Sequence, residues 1–234
     1  MLRENNTYIK NVIKAISVII FYLFTYSYPY EISYSLGIDL HNFSILFKSI
    51  YLSIYEFIIL AVIVYVYKDE LITSFKDFKK NIKEYIAKYF KYWILILILM
   101  FTSNSIVMRF TVSEVSNNQE IILDTLGKAP IYVIFTTVIV APLLEELIFR
   151  FCIKKIIPKP SIIYILVSGL LFGSMHVILT MTDITDLLFI IPYSIPGIVF
   201  AYLYNKTDNI FIPAGMHFIH NGSLMLLQII LTLV

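Results

Sequence analysis

Residues 131–152 read Ile-Tyr-Val-Ile-Phe-Thr-Thr-Val-Ile-Val-Ala-Pro-Leu-Leu-Glu-Glu-Leu-Ile-Phe-Arg-Phe-Cys, 22 residues long and apolar enough to cross a bilayer, yet carrying Glu145, Glu146 and Arg150. An ionised side chain at bilayer depth costs at least about 2.5–3.5 kcal/mol on insertion scales, so each of these charges needs a reason. On a helix Glu146 and Arg150, four residues apart, share a face and pair, while Glu145 projects about 100° away. One carboxylate is neutralised and its neighbour is left available. A structural ion pair near the inner interface accounts for Glu146 and Arg150 but not for Glu145.

Working outward, further apolar runs lie near 15–30, 43–67, 92–108, 161–182, 187–204 and 210–234, giving about seven spans in all. The composition agrees: 59% of the 234 residues are hydrophobic and 15% charged, against about 45–50% and about 25% in soluble domains. A water-soluble globule is excluded, and the expected fold is an all-α, polytopic transmembrane helix bundle forming one integral unit. It divides into N-terminal spans over 1–128 and a core over 129–234 that carries the embedded charges. A net charge of +2 gives no field for nucleic acid. The single cysteine, Cys152, excludes an internal disulfide framework and a Cys-rich zinc site. The first apolar run ends in Tyr-Ser-Tyr-Pro-Tyr, not in a small-residue cleavage site, and reads as a retained span.

The charges also orient the bundle. With the N-terminus inside, the inner segments 1–14, 68–91, 150–160 and 205–209 hold 15 Lys and Arg and the outer loops hold two, with Lys48 near the outer end of the second span. The N-terminus is therefore expected in the cytoplasm. Segment 68–91 interleaves Lys76, Lys79, Lys80, Lys83 and Lys88 with Phe75, Phe78, Ile82, Tyr85, Ile86 and Tyr89. It reads as a basic amphipathic helix on the inner membrane surface, either an inside anchor or a binder of anionic lipid or an acidic partner.

Other costly polar groups lie in the late spans. His176 stands in an apolar run after Gly169 and Gly173, whose spacing makes a small-residue face for a neighbouring helix. His217 and Asn221 are one helical turn apart; His220 is off their face, and His41 sits in a polar outer loop. Glu56, in the second span, has no evident partner in the sequence. Neither Cys152 nor any serine lies in a nucleophile motif, so covalent catalysis is disfavoured. Carboxylate plus imidazole is a water-activating composition: Glu145 as base, with donors from His217 and Asn221 for an oxyanion. Two histidines and a glutamate are also a known zinc set, so Glu145, His176 and His217 are metal candidates, and a divalent metal such as zinc stays open and unassigned in the absence of a His-Glu-x-x-His signature.

Glu145-Glu146-x-x-x-Arg150, Phe172-x-x-x-His176 and His217-x-x-x-Asn221 resemble, in order, the motifs of the CPBP family, which includes type II CAAX prenyl endopeptidases and proteins linked to bacteriocin processing and self-immunity. Gly197-Ile-Val-Phe-Ala201 is similar to that family's weaker intervening motif, and Phe151 departs from it where a glycine commonly follows the arginine. The resemblance covers roughly 130–225. It implies that Glu145 and His176 activate water, that His217 and Asn221 stabilise the oxyanion, and that Glu146 and Arg150 support them, by a metal-dependent or a glutamate-dependent route.

The leading expectation is an intramembrane endopeptidase in a bacterial plasma membrane. Its partners are a peptide or membrane-protein substrate and the bilayer; the oligomeric state is undetermined. Abundant Ile, Lys, Asn, Tyr and Phe point to an AT-rich genome, favouring peptide processing or self-immunity over prenyl-protein maturation. A non-catalytic immunity or regulatory protein is the second reading, and a proton-coupled transporter relaying through Glu56, Glu145 and His176 the third. One tension accompanies the catalytic reading: His217 lies about 10 Å from the start of its span and His176 about 22 Å from Ser161. A tilted fifth span, or a dip of residues 151–160 beside Pro158 and Pro160, would bring them together.

Overall fold

The structure is a computed structural model that describes residues 2–113, 115–157 and 161–233. Every regular element among them is helical. Helix α1 (Leu2–Ser27) is followed by the short α2 (Pro29–Ser35), which Pro29 opens and after which Gly37 turns the chain at φ +80°. Ser44 caps α3 (Ile45–Val66) by accepting from the Phe47 amide. There follow α4 (Lys68–Val107), α5 (Asn117–Lys128), α6 (Pro130–Ile156), α7 (Ile162–Ile178), α8 (Ile190–Thr207) and α9 (Phe211–Leu233). Among the described residues six helices are long and apolar enough to cross a membrane, counting the turn before α8 with it, while α7, at 17 residues, is shorter. The expected seven spans are thus six long helices and one short one.

Segment 68–91, expected as a separate surface helix, is instead the first half of α4, a continuous helix of 40 residues and roughly 60 Å. No glycine or proline interrupts it. Its N-terminal half packs on the turn between α8 and α9: Asn209 Nδ2 donates to Ser74 O (2.8 Å) and to Asp77 Oδ2 (2.7 Å), and Phe75 meets Phe211 edge-on.

The centre belongs to α6 and α8. Half of the most apolar stretch of each is buried, against 11–28% for α1, α3, α4 and α9, whose outer faces are left for lipid. α1 and α3 of the N-terminal half pack directly on α6, with Ala15, Tyr22, Ile59 and Ile63 joining Leu144 and Ile148 in one core.

α7 and α8 approach closely because glycine permits it. A Cβ on Gly169 would stand 2.7 Å from Ile198 N, one on Gly173 2.8 Å from Ser194 N, and one on Gly197 2.8 Å from Gly169 O. The small-residue face of the fifth span is therefore the seam that holds α7 against the centre. Gly169→Val is expected to lower the thermal unfolding midpoint in detergent by several degrees, since overpacking costs about 1–3 kcal/mol. Gly127→Ala, with nothing within 4 Å of the added atom, should not lower it. Equal midpoints by circular dichroism would contradict the close seam.

Candidate active site

The site grows from an irregularity in α6. Two stretches, Phe135–Val140 and Glu146–Cys152, wind as π-helix around the α-helical Ala141–Glu145. Such wider turns are rare and gather at functional sites. Here Ala141 N–H reaches back five residues to Thr136 O, and Pro142, the next residue, has no N–H. The carbonyl of Thr137 is left without a donor from its own helix. Asn221 Nδ2, from α9, donates to it at 2.9 Å. In the second stretch Ser168 Oγ donates to Phe149 O (2.6 Å) and the Tyr164 hydroxyl to Arg150 O (3.4 Å), both from α7. Backbone groups loosened in α6 are thus taken up by the two helices that carry the histidines.

Glu146 is the hub. It is fully buried; Oε2 pairs with Arg150 Nε at 3.0 Å and Oε1 accepts from His217 Nδ1 at 2.9 Å. The guanidinium, equally buried, lies 4.4 Å from the centre of the Phe172 ring and 5.6 Å from that of Phe200, and its terminal nitrogens have no hydrogen-bond partner among the described residues. Ring faces thus stand where water would otherwise solvate the cation.

Glu145 turns the other way, as the helical arithmetic predicts. Its Oε1 faces His176 Nε2 at 3.8 Å and its Oε2 faces His217 Nε2 at 3.6 Å, both beyond hydrogen-bond distance. The opposite nitrogens of both rings are engaged. His176 Nδ1 lies 2.9 Å from Phe172 O, and because a carbonyl only accepts, Nδ1 carries the proton and Nε2 presents a lone pair to Glu145. His217 Nδ1 donates to Glu146, which fixes that ring and aims its Nε2 at the other oxygen of Glu145. The His176 ring is stacked on Tyr193 (5.0 Å, 20°), whose hydroxyl is hydrogen-bonded to Ser116 (2.7 Å) and accepts from Asn118 Nδ2 (3.3 Å) at the start of α5.

Five of the expected residues, Glu145, Glu146, Arg150, His176 and His217, therefore meet. Asn221 is one turn away, with its amide joined to α6 and not to Glu145. The two histidines converge although His176 is the fourteenth residue beyond Ile162 and His217 the sixth beyond Phe211, so the starts of α7 and α9 differ in depth or inclination. The dip expected at Pro158 and Pro160 falls outside the described residues.

His220 is buried edge-on against Phe200, and His41 is exposed in a turn. Glu56 accepts hydrogen bonds from Tyr132 (3.0 Å) and Thr136, which removes it from the Glu145 group. Cys152 is buried 3.6 Å from the Tyr67 hydroxyl, with no base beside it. Glu145, His176 and His217 carry the donor types of a zinc site, but among the described residues no group of three His, Cys, Asp or Glu side chains is placed to hold a metal ion. Tyr193 and Ser168 went unread in the sequence, where nothing distinguishes them from ordinary span residues, and Phe200 was read only as part of the Gly197–Ala201 stretch.

Arg150→Met leaves Glu146 buried with half its partners and is expected to cost about 3–5 kcal/mol. Glu146→Gln/Arg150→Met should cost less than Arg150→Met alone, because glutamine still accepts from His217 without a buried charge; unfolding in detergent reads the difference, and strict additivity would refute the pairing. Asn221→Leu should cost about 1–3 kcal/mol in the same assay by orphaning Thr137 O, and a neutral result would remove its role as a tie between α9 and α6.

Residues 127–223 match the family model described as Type II CAAX prenyl endopeptidase Rce1-like. The "Putative membrane peptidase YdiL" of Bacillus subtilis (strain 168) is 30% identical over 122 residues, 51% of this chain and 46% of its own length. The "Membrane-embedded CAAX protease MroQ" of Staphylococcus aureus (strain USA300) is 30% identical over 125 residues, 50% of this chain and 47% of its own. The chain spans about half the length of the curated relatives it matches, and no solved structure matches it significantly. With helices long and apolar enough to cross a bilayer, the chain is a multi-pass membrane protein whose residues 127–223 are similar to the Rce1-like type II CAAX prenyl endopeptidases.

Proposed function

We propose that the protein is an intramembrane endopeptidase that hydrolyses a peptide bond with water activated by Glu145 and His176. The supporting observation is the setting of Glu145: a carboxylate between two imidazole Nε2 atoms at 3.6 and 3.8 Å, each ring fixed through its other nitrogen. A water molecule between Glu145 and His176 donates one hydrogen to each acceptor, which directs its lone pair outward to a substrate carbonyl. Glu145 takes a proton as the oxygen bonds to the carbonyl carbon. His217, held by Glu146 through Nδ1, donates from Nε2 to the oxyanion that forms. Glu145 then passes its proton to the departing nitrogen as the C–N bond breaks, releasing one acid and one amine. Arg150 pairs with the Glu146 oxygen that His217 does not use, and Asn221 acts by holding α9 on α6.

This division of labour differs from the resemblance in one respect, since Asn221 serves as a positioning residue and leaves oxyanion support to His217. The proposed substrate is a peptide or membrane-protein segment in peptide processing or self-immunity, met in a bacterial plasma membrane with the N-terminus of the chain in the cytoplasm.

Glu145→Gln, His176→Ala and His217→Ala are each expected to lower cleavage by at least about 10²-fold while the protein still inserts, the size usual for a lost general base or oxyanion donor. Cys152→Ala should retain activity. The measurement is a comparison of the membrane peptidome of cells carrying the parent and each variant; identical product sets from parent and Glu145→Gln would defeat the hydrolytic reading and favour action by binding.

A further inference from the structure

A cavity of about 460 Å³ lies between the end of α3, the first half of α4, α6 and the start of α9. Its wall is formed by Leu60, Leu71, Phe75, Leu147, Phe211 and other apolar side chains. Only Lys68, Lys76 and Glu146 among its lining residues carry charge, the two lysines exposed and Glu146 wholly buried. The cavity therefore opens beside two cations and ends against the residue that joins Arg150 to His217.

The lining decides the class of occupant. A peptide chain would bring an N–H and a C=O at every residue into a space whose wall offers almost no polar partner, at a cost of several kcal/mol for each unpaired group. A hydrocarbon chain has none to satisfy. Neither Lys68 nor Lys76 forms an ion pair among the described residues; Lys68 Nζ stands 5.2 Å from the centre of the exposed Tyr65 ring, a contact that leaves its charge open to an anion. The surrounding face of α4 exposes Ile72, Phe75, Ile82 and Ile86 between Lys79, Lys80 and Lys83. Exposed apolar groups interleaved with lysines suit the boundary between headgroups and acyl chains, where basic pockets between helices hold anionic headgroups.

We propose that this cavity holds one acyl chain of an anionic phospholipid, with the phosphate met by Lys68 and Lys76. The chain packs against Leu143 and Leu147 on the same turn of α6 as Glu146 and covers the Glu146 pair on that side. The site is independent of the hydrolytic reading, because it needs no turnover. It is also built largely by α3 and α4, outside the family-matched residues 127–223.

The test uses the full chain in nanodiscs, with Trp93, its one tryptophan, replaced in Trp93→Phe and a reporter placed at the cavity by Ile72→Trp. Acyl-brominated phosphatidylglycerol, as a minor component in phosphatidylcholine, is expected to quench the reporter several-fold more than the same fraction of brominated phosphatidylcholine. Lys68→Gln/Lys76→Gln should make the two lipids equal, whereas Lys79→Gln/Lys80→Gln, away from the cavity lining, should preserve the preference. Ala214→Phe, which fills the cavity, should reduce quenching by phosphatidylglycerol with helical content unchanged. Equal quenching by both lipids in the parent, or a preference that survives loss of Lys68 and Lys76, overturns the proposal. Full displacement by inorganic phosphate, which would mark a bare anion site, or by an uncharged apolar peptide, which would mark a peptide groove, also overturns it.

Discussion

A single buried carboxylate, Glu146, holds an arginine on one oxygen and a histidine on the other, and the remaining arrangement depends on that division. Burying three ionisable groups is costly, and the cost is offset only if each finds a partner in good geometry. Arg150 alone would be an uncompensated cation, and His217 alone would be free to rotate. Joined through Glu146 they form a rigid unit spanning α6 and α9, roofed by Phe172 from α7 and Phe200 from α8. Four helices are thereby tied to one charge cluster. Because Glu146 is occupied, Glu145 is the carboxylate left facing Nε2 of both imidazoles.

Much of this was legible in residues 131–152. The 100° step between adjacent helical positions separates the roles of Glu145 and Glu146, and the four-residue spacing to Arg150 states the ion pair. Gly169 and Gly173 announce the close seam with α8. What was not legible is the winding of α6. An apolar run reads the same whether it turns as α- or π-helix, so the unpaired Thr137 carbonyl could not be foreseen, nor could Asn221, 84 residues distant, be assigned to it. Pro142 was the available signal, since a proline inside a span deprives some carbonyl of its donor. The continuity of α4 had a signal too, in 40 residues free of glycine and proline, but the shift from basic amphipathic to wholly apolar patterning at residue 92 hid it.

His176 shows how a remote element enters the site. Its Nδ1 is fixed within α7 by Phe172 O, which settles the tautomer but leaves the ring free to tilt about that bond. Tyr193 closes that freedom by stacking on the ring, and its hydroxyl is held by Ser116 and Asn118. Asn117 between them binds Thr180 O, Thr182 and Asp186, so the first turn of α5 is fastened to the segment joining α7 and α8. α5 buries no residue of its own. Ile122 and Leu126 add partly buried contacts with Val133, Val138 and Met225, while the hydrogen bonds of its first turn connect it to His176 through one ring.

The division of the chain between shared and unshared residues carries a consequence for the setting of the cluster. The charge cluster and both histidines lie within 127–223, the part matched by the family model. The walls around it do not. Glu56 of α3 binds Tyr132 and Thr136 beside the first π-helical stretch, Tyr67 covers Cys152 and Phe151 on the second, and the cavity that ends at Glu146 is closed by α3 and α4. On that side the charge cluster is reached past side chains of the first 107 residues, and the carboxylate met there is Glu146. Two proteins with the same five charged and imidazole groups but different α3 and α4 would enclose the same cluster in different walls, so the surroundings of the cluster are set in part by the half of the chain that the family model does not describe.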